Sequence, residues 1–159
     1  MTQMTAEPTL VSINLRPYLV DYFVNFYGEH PIKADEKSKL LPLLAQYLTS
    51  PPAKYRPLIP GKNVITFALP YNKTRDIRSY NYISPDNFSK IQTYLYNLFR
   101  WHFFDYMDKF CLHQNIPYKV AIINFMDYNN ISYDNFQYDS LKRIYFRYRK
   151  KGNKIINIL

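Results

Sequence analysis

The sequence predicts an α+β chain whose C-terminal half is mainly helical, tri-helical and helix-turn-helix-like in outline, with a small strand-containing, proline-rich N-terminal part. Three observations predict it. Two early runs, "LVSINL" and "NVITFALP", are alternating or β-branched and aromatic, as strands are. Residues 84–151 carry apolar positions at helical spacing behind a strong start signal, "SPDN". Between them, Pro42, Pro51, Pro52, Pro57 and Pro60 force short or irregular paths. One domain is expected over residues 1–159: a strand- and loop-rich part (10–83), a helical part (84–151) and a tail (152–159).

Each element has its own reason. Residues 1–9 read as a frayed leader. Val11, Ile13 and Leu15 alternate with Ser12, Asn14 and Arg16, which predicts a strand. Pro17 suits a first helical position and Gly28 a helix end, so a short helix follows, with Leu19, Phe23 and Phe26 as candidates for one face. Pro42 opens a short helix over Leu43–Leu48. The prolines after it predict a stiff surface connection, with a PxxP-like recognition motif as the alternative. A strand is expected over Asn63–Leu69, then a basic, tyrosine-laced loop or edge strand, "YNKTRDIRSYNYIS".

The best-defined helix starts with Ser84 as N-cap, Pro85 at the first position and Asp86 complementing the dipole. Phe88, Ile91, Leu95, Leu98 and Phe99 follow at helical spacing. Trp101, Phe103, Tyr106 and Phe110 make its later part apolar on several sides, so much of it should be buried, ending near His113 before Pro117. A second helix fits Tyr118–Tyr128, with Val120, Ile123 and Met126 facing in. Asn129–Asn130 supplies a turn, because Asn tolerates the left-handed conformation. Ser132 or Asp134 caps a short third piece through Phe136. The last helix is expected from Tyr138 to Lys151, stopped by Gly152, with "IINIL" as a closing strand or a flap on the core.

Composition bounds the function. Glycine is scarce, at 3, and neither a GxGxxG nor a GxxxxGK[ST] pattern occurs. Cys111 is the only cysteine; it suits a reducing compartment and reads as a buried small hydrophobe. No apolar run approaches the ~18 residues of a membrane span. The first ten residues lack the basic and apolar regions of a signal peptide, so cytoplasm is expected and no membrane partner.

The formal net charge of +9 is unevenly placed. Residues 138–159 hold seven basic residues and one acid; residues 54–80 hold six and one. Two segregated blocks of cations point to a polyanion, nucleic acid first and an acidic membrane surface second. A merely solubilising surface is the alternative.

On a helical wheel at 100° per residue, Leu141, Ile144, Tyr145 and Tyr148 form one apolar stripe. Lys142, Arg143, Arg147, Arg149, Lys150 and Lys151 spread over the opposite side. The stretch is therefore an amphipathic helix with a cationic outer face. Phe146 falls among the cations, where its ring can stack on a base, touch a thymine methyl or pack under the tail. Arginine adds bidentate geometry toward phosphate or guanine. Tyr118–Tyr128 followed by a basic helix has the outline of a helix-turn-helix, but the connection is longer than that motif's ~3–4 residues. Either an extra helical turn lies between, or the arrangement is tri-helical without that motif.

The run "NNIS…YDSLKRIYFRYRKK", with "ALPYNKTRDIRSYNYIS" upstream, resembles a group of small proteins carried by phages and integrated mobile elements of Bacteroidetes-type bacteria, in which an "IS…YDTLKR.YYRYRKK" ending recurs. The likeness covers roughly Pro70–Lys151 and has no catalytic signature. It implies mobile-element biology, is compatible with DNA binding, and implies no known reaction.

His102, Asp105 and Asp108 share one helix at three-residue spacing. A metal would need a further ligand, and no HExxH or CxxC pattern supplies one, so a polar stripe is the expectation. His30 and His113 read as surface residues. No nucleophile elbow or cofactor fingerprint occurs, so neither an enzyme nor a cofactor is expected. The expected function is binding of nucleic acid, double-stranded DNA before RNA. The expected contacts are Lys142, Arg143, Phe146, Arg147, Arg149, Lys150 and Lys151, assisted by Lys73, Arg75 and Arg78. The alternative is a non-enzymatic interaction or structural protein of a phage or mobile element that binds an acidic partner; a homo-oligomer stays open.

Overall fold

The computed structural model describes residues 8–34, 39–70 and 79–156. The architecture is α+β, with its strands in the N-terminal part and a helical C-terminal half. The chain divides into two compact units, 1–95 and 96–159.

In the first unit, β1 (Thr9–Asn14) pairs antiparallel with β4 (Val64–Leu69), and β2 (Ile32–Lys33) pairs parallel with the other side of β4. All six β4 residues are buried, which suits a central strand covered on both faces. β1 shows the expected alternation: Val11 and Ile13 are buried, and Ser12 Oγ lies 2.9 Å from Thr66 Oγ1 across the pair. Where β2 has not yet begun, the His30 ring continues the ladder, its Nε2 accepting from the Thr66 N–H at 3.1 Å. A second, two-stranded sheet joins β3 (Leu48–Thr49) to β5 (Tyr82–Ile83). These two-residue strands are too short to leave a period in the sequence.

Helix α1 (Pro17–Tyr27) starts at its proline and ends at Gly28, whose φ of 77° is left-handed and whose N–H donates to Val24 O at 2.9 Å. Its buried face is Tyr18, Leu19, Val20, Tyr22 and Phe23. Phe26, expected inward, is half exposed and lies over Tyr22, centroids 5.9 Å apart. Helix α2 (Leu40–Tyr47) begins two residues earlier than Pro42. A proline in the first turn removes only an N–H that has no helical partner, so Pro42 need not open the helix. Leu48 passes into β3. Residues 51–60 form no helix or strand and are exposed except for half-buried Leu58.

Helix α3 (Pro85–Asp108) runs across the division between the units. Ser84 caps it, its Oγ accepting from the Asn87 N–H at 3.4 Å. Ile91, Leu95, Phe99, Phe103 and Met107 recur every four residues and are all fully buried. Each such residue contributes about 1.5–3 kcal/mol of apolar burial. The last turn, Lys109–His113, widens into a π-helical turn, so the element ends where expected but by another geometry.

In the second unit, the later part of α3 is joined by α4 (Tyr118–Tyr128) and α5 (Asn135–Ile156). Met126 is buried as expected, but the rest of the α4 phase differs: Ala121, Ile122 and Phe125 are buried with it, whereas Val120 is exposed and Ile123 half-buried. Phe125 decides this. Its ring meets Phe103 at 4.9 Å, Tyr106 at 5.1 Å and Phe99 at 6.0 Å, and these aromatic contacts outweigh the burial of β-branched neighbours. Asn130 takes the left-handed conformation with φ 51°, and Asn129 Nδ2 donates to Phe125 O at 2.9 Å.

The expected third piece and last helix are one element. Asp134 Oδ1 accepts from the Gln137 N–H at 2.7 Å, so the N-cap starts α5 at Asn135 and the extra turn is part of it. Nor does Gly152 stop α5, which runs on to Ile156. Among the described glycines only Gly28 has a positive φ, and a helical glycine costs only about 1 kcal/mol. Residues 157–159 of the expected closing strand lie outside the described residues.

Candidate nucleic-acid interface

The apolar stripe of α5 docks as its spacing demands. Leu141, Ile144 and Tyr145 are buried and Tyr148 is half-buried. The stripe turns the cations outward, and the second unit then sorts them into three groups.

Arg147, Lys150 and Lys151 line a groove of about 390 Å³ between α5 and α3. The fourth cation of this groove is Arg100, on α3. Tyr96, Ile144 and Tyr148 complete the lining, and no acidic residue takes part. All these residues belong to the second unit. Among the described residues, none of the four cations forms an ion pair.

Tyr148, in the lining of the groove, is backed by a stacked ring. Phe104 and Tyr148 lie flat on one another, centroids 4.0 Å apart and planes 9° apart. The Arg100 guanidinium sits over Phe104 at 5.3 Å and over Tyr96 at 5.5 Å, so cation–π attraction holds it in place. The Tyr148 hydroxyl donates to Asp108 Oδ2, and this bond, more than burial, pushes the phenol above its ordinary pKa. Asp108, expected in a polar stripe with His102 and Asp105, thus serves to anchor Tyr148. Among the described residues, no three His, Cys, Asp or Glu side chains are grouped to hold a metal.

Arg149 does not line the groove. Its charge acts on Cys111, Tyr145 and Tyr148. Cys111 is half-buried instead of fully buried. Burial pushes its thiol up, against the opposing pull of a hydrogen bond from Tyr145. Phe146 is half exposed and packs edge-on against Tyr118 at 5.0 Å. Arg143 is exposed and Lys142 half-buried; neither lines the groove. Lys73, Arg75 and Arg78 lie outside the described residues.

Sequence reasoning did not single out Arg100, a lone cation in an aromatic helix. A signal was present: Tyr96, Arg100 and Phe104 follow at four-residue spacing, which places a cation between two rings on one helix face. Trp101, expected to be buried, is 71% exposed. The core stripe of α3 is filled by Phe99 and Phe103, which leaves position 101 on the outside.

Such a groove attracts anions. Four like charges held close together raise the local potential; no acid belongs to the lining, and the Asp108 carboxylate behind Tyr148 offsets part of their charge. Arginines offer paired donors to phosphate, and lysines mobile point charges. Comparison with protein families, with curated proteins and with solved structures found no match. Among the described residues, no helix is long and apolar enough to cross a membrane.

Proposed function

We propose that the protein binds nucleic acid, DNA before RNA, by holding its phosphate backbone against the cationic side of α5. One observation carries this reading: Arg147, Lys150 and Lys151 meet Arg100 from another helix in one acid-free groove with an aromatic wall. A solvated basic surface has no need of such convergence, whereas a phosphate backbone does. The protein acts without catalysis, in the biology of a phage or integrated mobile element, as the resemblance over Pro70–Lys151 suggests. The lone thiol suits the cytoplasm.

The test is fluorescence anisotropy of labelled DNA across a salt series, with the native protein beside an Arg147→Ala, Lys150→Ala, Lys151→Ala variant. Binding that fades with salt in the native protein and is lost in the variant is expected. Absence of binding at low salt, with both proteins folded by circular dichroism, overturns the reading.

A second reading has an observation of its own. Tyr128, Tyr133 and Phe136, around the α4–α5 connection, are 79%, 58% and 73% exposed. Exposed rings favour protein contacts, so an interaction or structural protein with an acidic partner is the alternative. Binding of an acidic protein partner that the triple variant weakens, with no DNA binding by the native protein, selects it.

A further inference from the structure

We infer that the groove takes the end of a nucleic-acid strand, holding a terminal phosphate in preference to the diesters along the backbone. This rests on the nucleic-acid reading above and goes beyond it in the part of the strand that the four cations grip.

The groove is small for a backbone and densely charged for one. Its volume of about 390 Å³ lies in the range of small-molecule sites, ~300–1,000 Å³. Arg147, Lys150 and Lys151 stand about one turn apart along α5, a rise of about 5.4 Å. A strand carries one diester charge per ~3.4 Å of axis, so that turn meets one or two of them. Four cations line the space. Even with the Asp108 carboxylate behind Tyr148 counted in full, three positive charges are left over. Two diesters leave one of those three unmatched. A terminal phosphate carries about −1.5 to −2 at neutral pH, and with the diester next to it supplies close to three.

The donors suit the same group. A terminal phosphate turns three acceptor oxygens outward, and here donors come from two helices into one space, Arg100 from α3 and the other three from α5. Phe104 at 5.3 Å and Tyr96 at 5.5 Å fix the Arg100 guanidinium, so its fork is pre-set for a paired contact with phosphate. Tyr96, Ile144 and Tyr148, the rest of the lining, give the sugar and base of the end residue an uncharged wall. Arg143, exposed on the same helix but outside the groove, is available to a diester further along.

The test uses oligonucleotides of one sequence, each labelled at an internal base: unphosphorylated, 5′-phosphorylated and 3′-phosphorylated, as single strands and as blunt duplexes. Anisotropy titrations with the native protein give the affinities. A phosphorylated end should tighten binding by roughly 10- to 150-fold, the scale of a hydrogen bond to a charged group. Arg147→Ala with Lys151→Ala, at two exposed positions, should remove most of that preference. Arg143→Ala should weaken all strands alike and keep the ratio. Circular dichroism checks that the variants are folded. A nucleoside monophosphate, added as competitor, tells a strand end from a free nucleotide: it should displace the phosphorylated strand only in large excess. Displacement at equal concentration moves the site to free nucleotides and overturns the strand-end assignment. Equal affinity for phosphorylated and unphosphorylated strands overturns the inference and leaves nucleic-acid binding standing. A preference that survives the double variant overturns it too. No binding of any strand by the native protein overturns both.

Discussion

Tyr148 is held from two directions at once: Phe104 lies flat against its ring at 4.0 Å, and Asp108 accepts its hydroxyl proton. Both partners come from α3, one turn apart, and together they lock α5 to α3 at the base of the groove. The other Asp108 oxygen, Oδ1, is buried and has no hydrogen-bond partner among the described residues.

Removing only the hydroxyl isolates this link. Tyr148→Phe keeps the stack but leaves both Asp108 oxygens without a donor. It should cost ~1–3 kcal/mol, the usual loss for a buried hydrogen bond to a carboxylate. Urea unfolding of the two proteins measures it. Double replacement with Asp108→Asn should recover part of the loss, because the charge is then gone.

The groove divides arginines that sequence alone treats as equals. Arg100→Ala and Arg147→Ala should each weaken DNA binding and lower the salt slope by roughly 0.7–0.9. Arg143→Ala, exposed but away from the groove, should do less than either. Anisotropy titrations at several salt concentrations decide it. Equal effects of Arg143 and Arg147 would spread the interface around α5.

Tyrosine ionisation sets an alkaline limit. Burial pushes the Tyr145 hydroxyl up to about 12. Burial likewise raises Tyr22, Tyr27 and Tyr106 above their ordinary value of 10.0. A raised folded value means that the unfolded chain loses the proton first. The stabilisation is therefore complete below the ordinary value and is lost as pH rises from there through the folded value. Phenolate absorbance should lag in the native protein and rise together with the loss of helix signal. Ionisation of every tyrosine near its ordinary value, with the fold intact, would contradict the burial.

Two small polar contacts carry comparable loads. Asp134→Ala removes the acceptor of the Gln137 N–H and should cost ~0.5–2 kcal/mol, with fraying of the first turn of α5. His30→Ala removes the acceptor that the Thr66 N–H finds beyond β2, at ~1 kcal/mol. Thermal unfolding measures both. Amide exchange at Thr66, faster in the His30 variant alone, separates a lost acceptor from general loosening.

Local chemistry alone determined much of this molecule. The period-two alternation of β1, the proline and glycine bounds of α1, the Ser84 cap and the buried Ile91, Leu95, Phe99 and Phe103 of α3 all depend on near neighbours, and the residues predicted them. Met107 was not foreseen, and Phe88, Leu98, Tyr106 and Phe110 are only half-buried. The two-sided character of α5 was legible for the same reason, because its buried stripe and its cations are set by rotation along one helix. Tertiary structure decided the rest. The phase of α4 turned on Phe125 finding rings more than twenty residues away. Asp134 extended α5 through a side-chain bond that Ser132 could equally have offered in sequence. The choice among the cations of α5, and the recruitment of Arg100 from another helix, depended on which side α3 packs against. Sequence periodicity states which face of a helix is apolar, but not what stands opposite each edge of it. That is settled only when the helices meet.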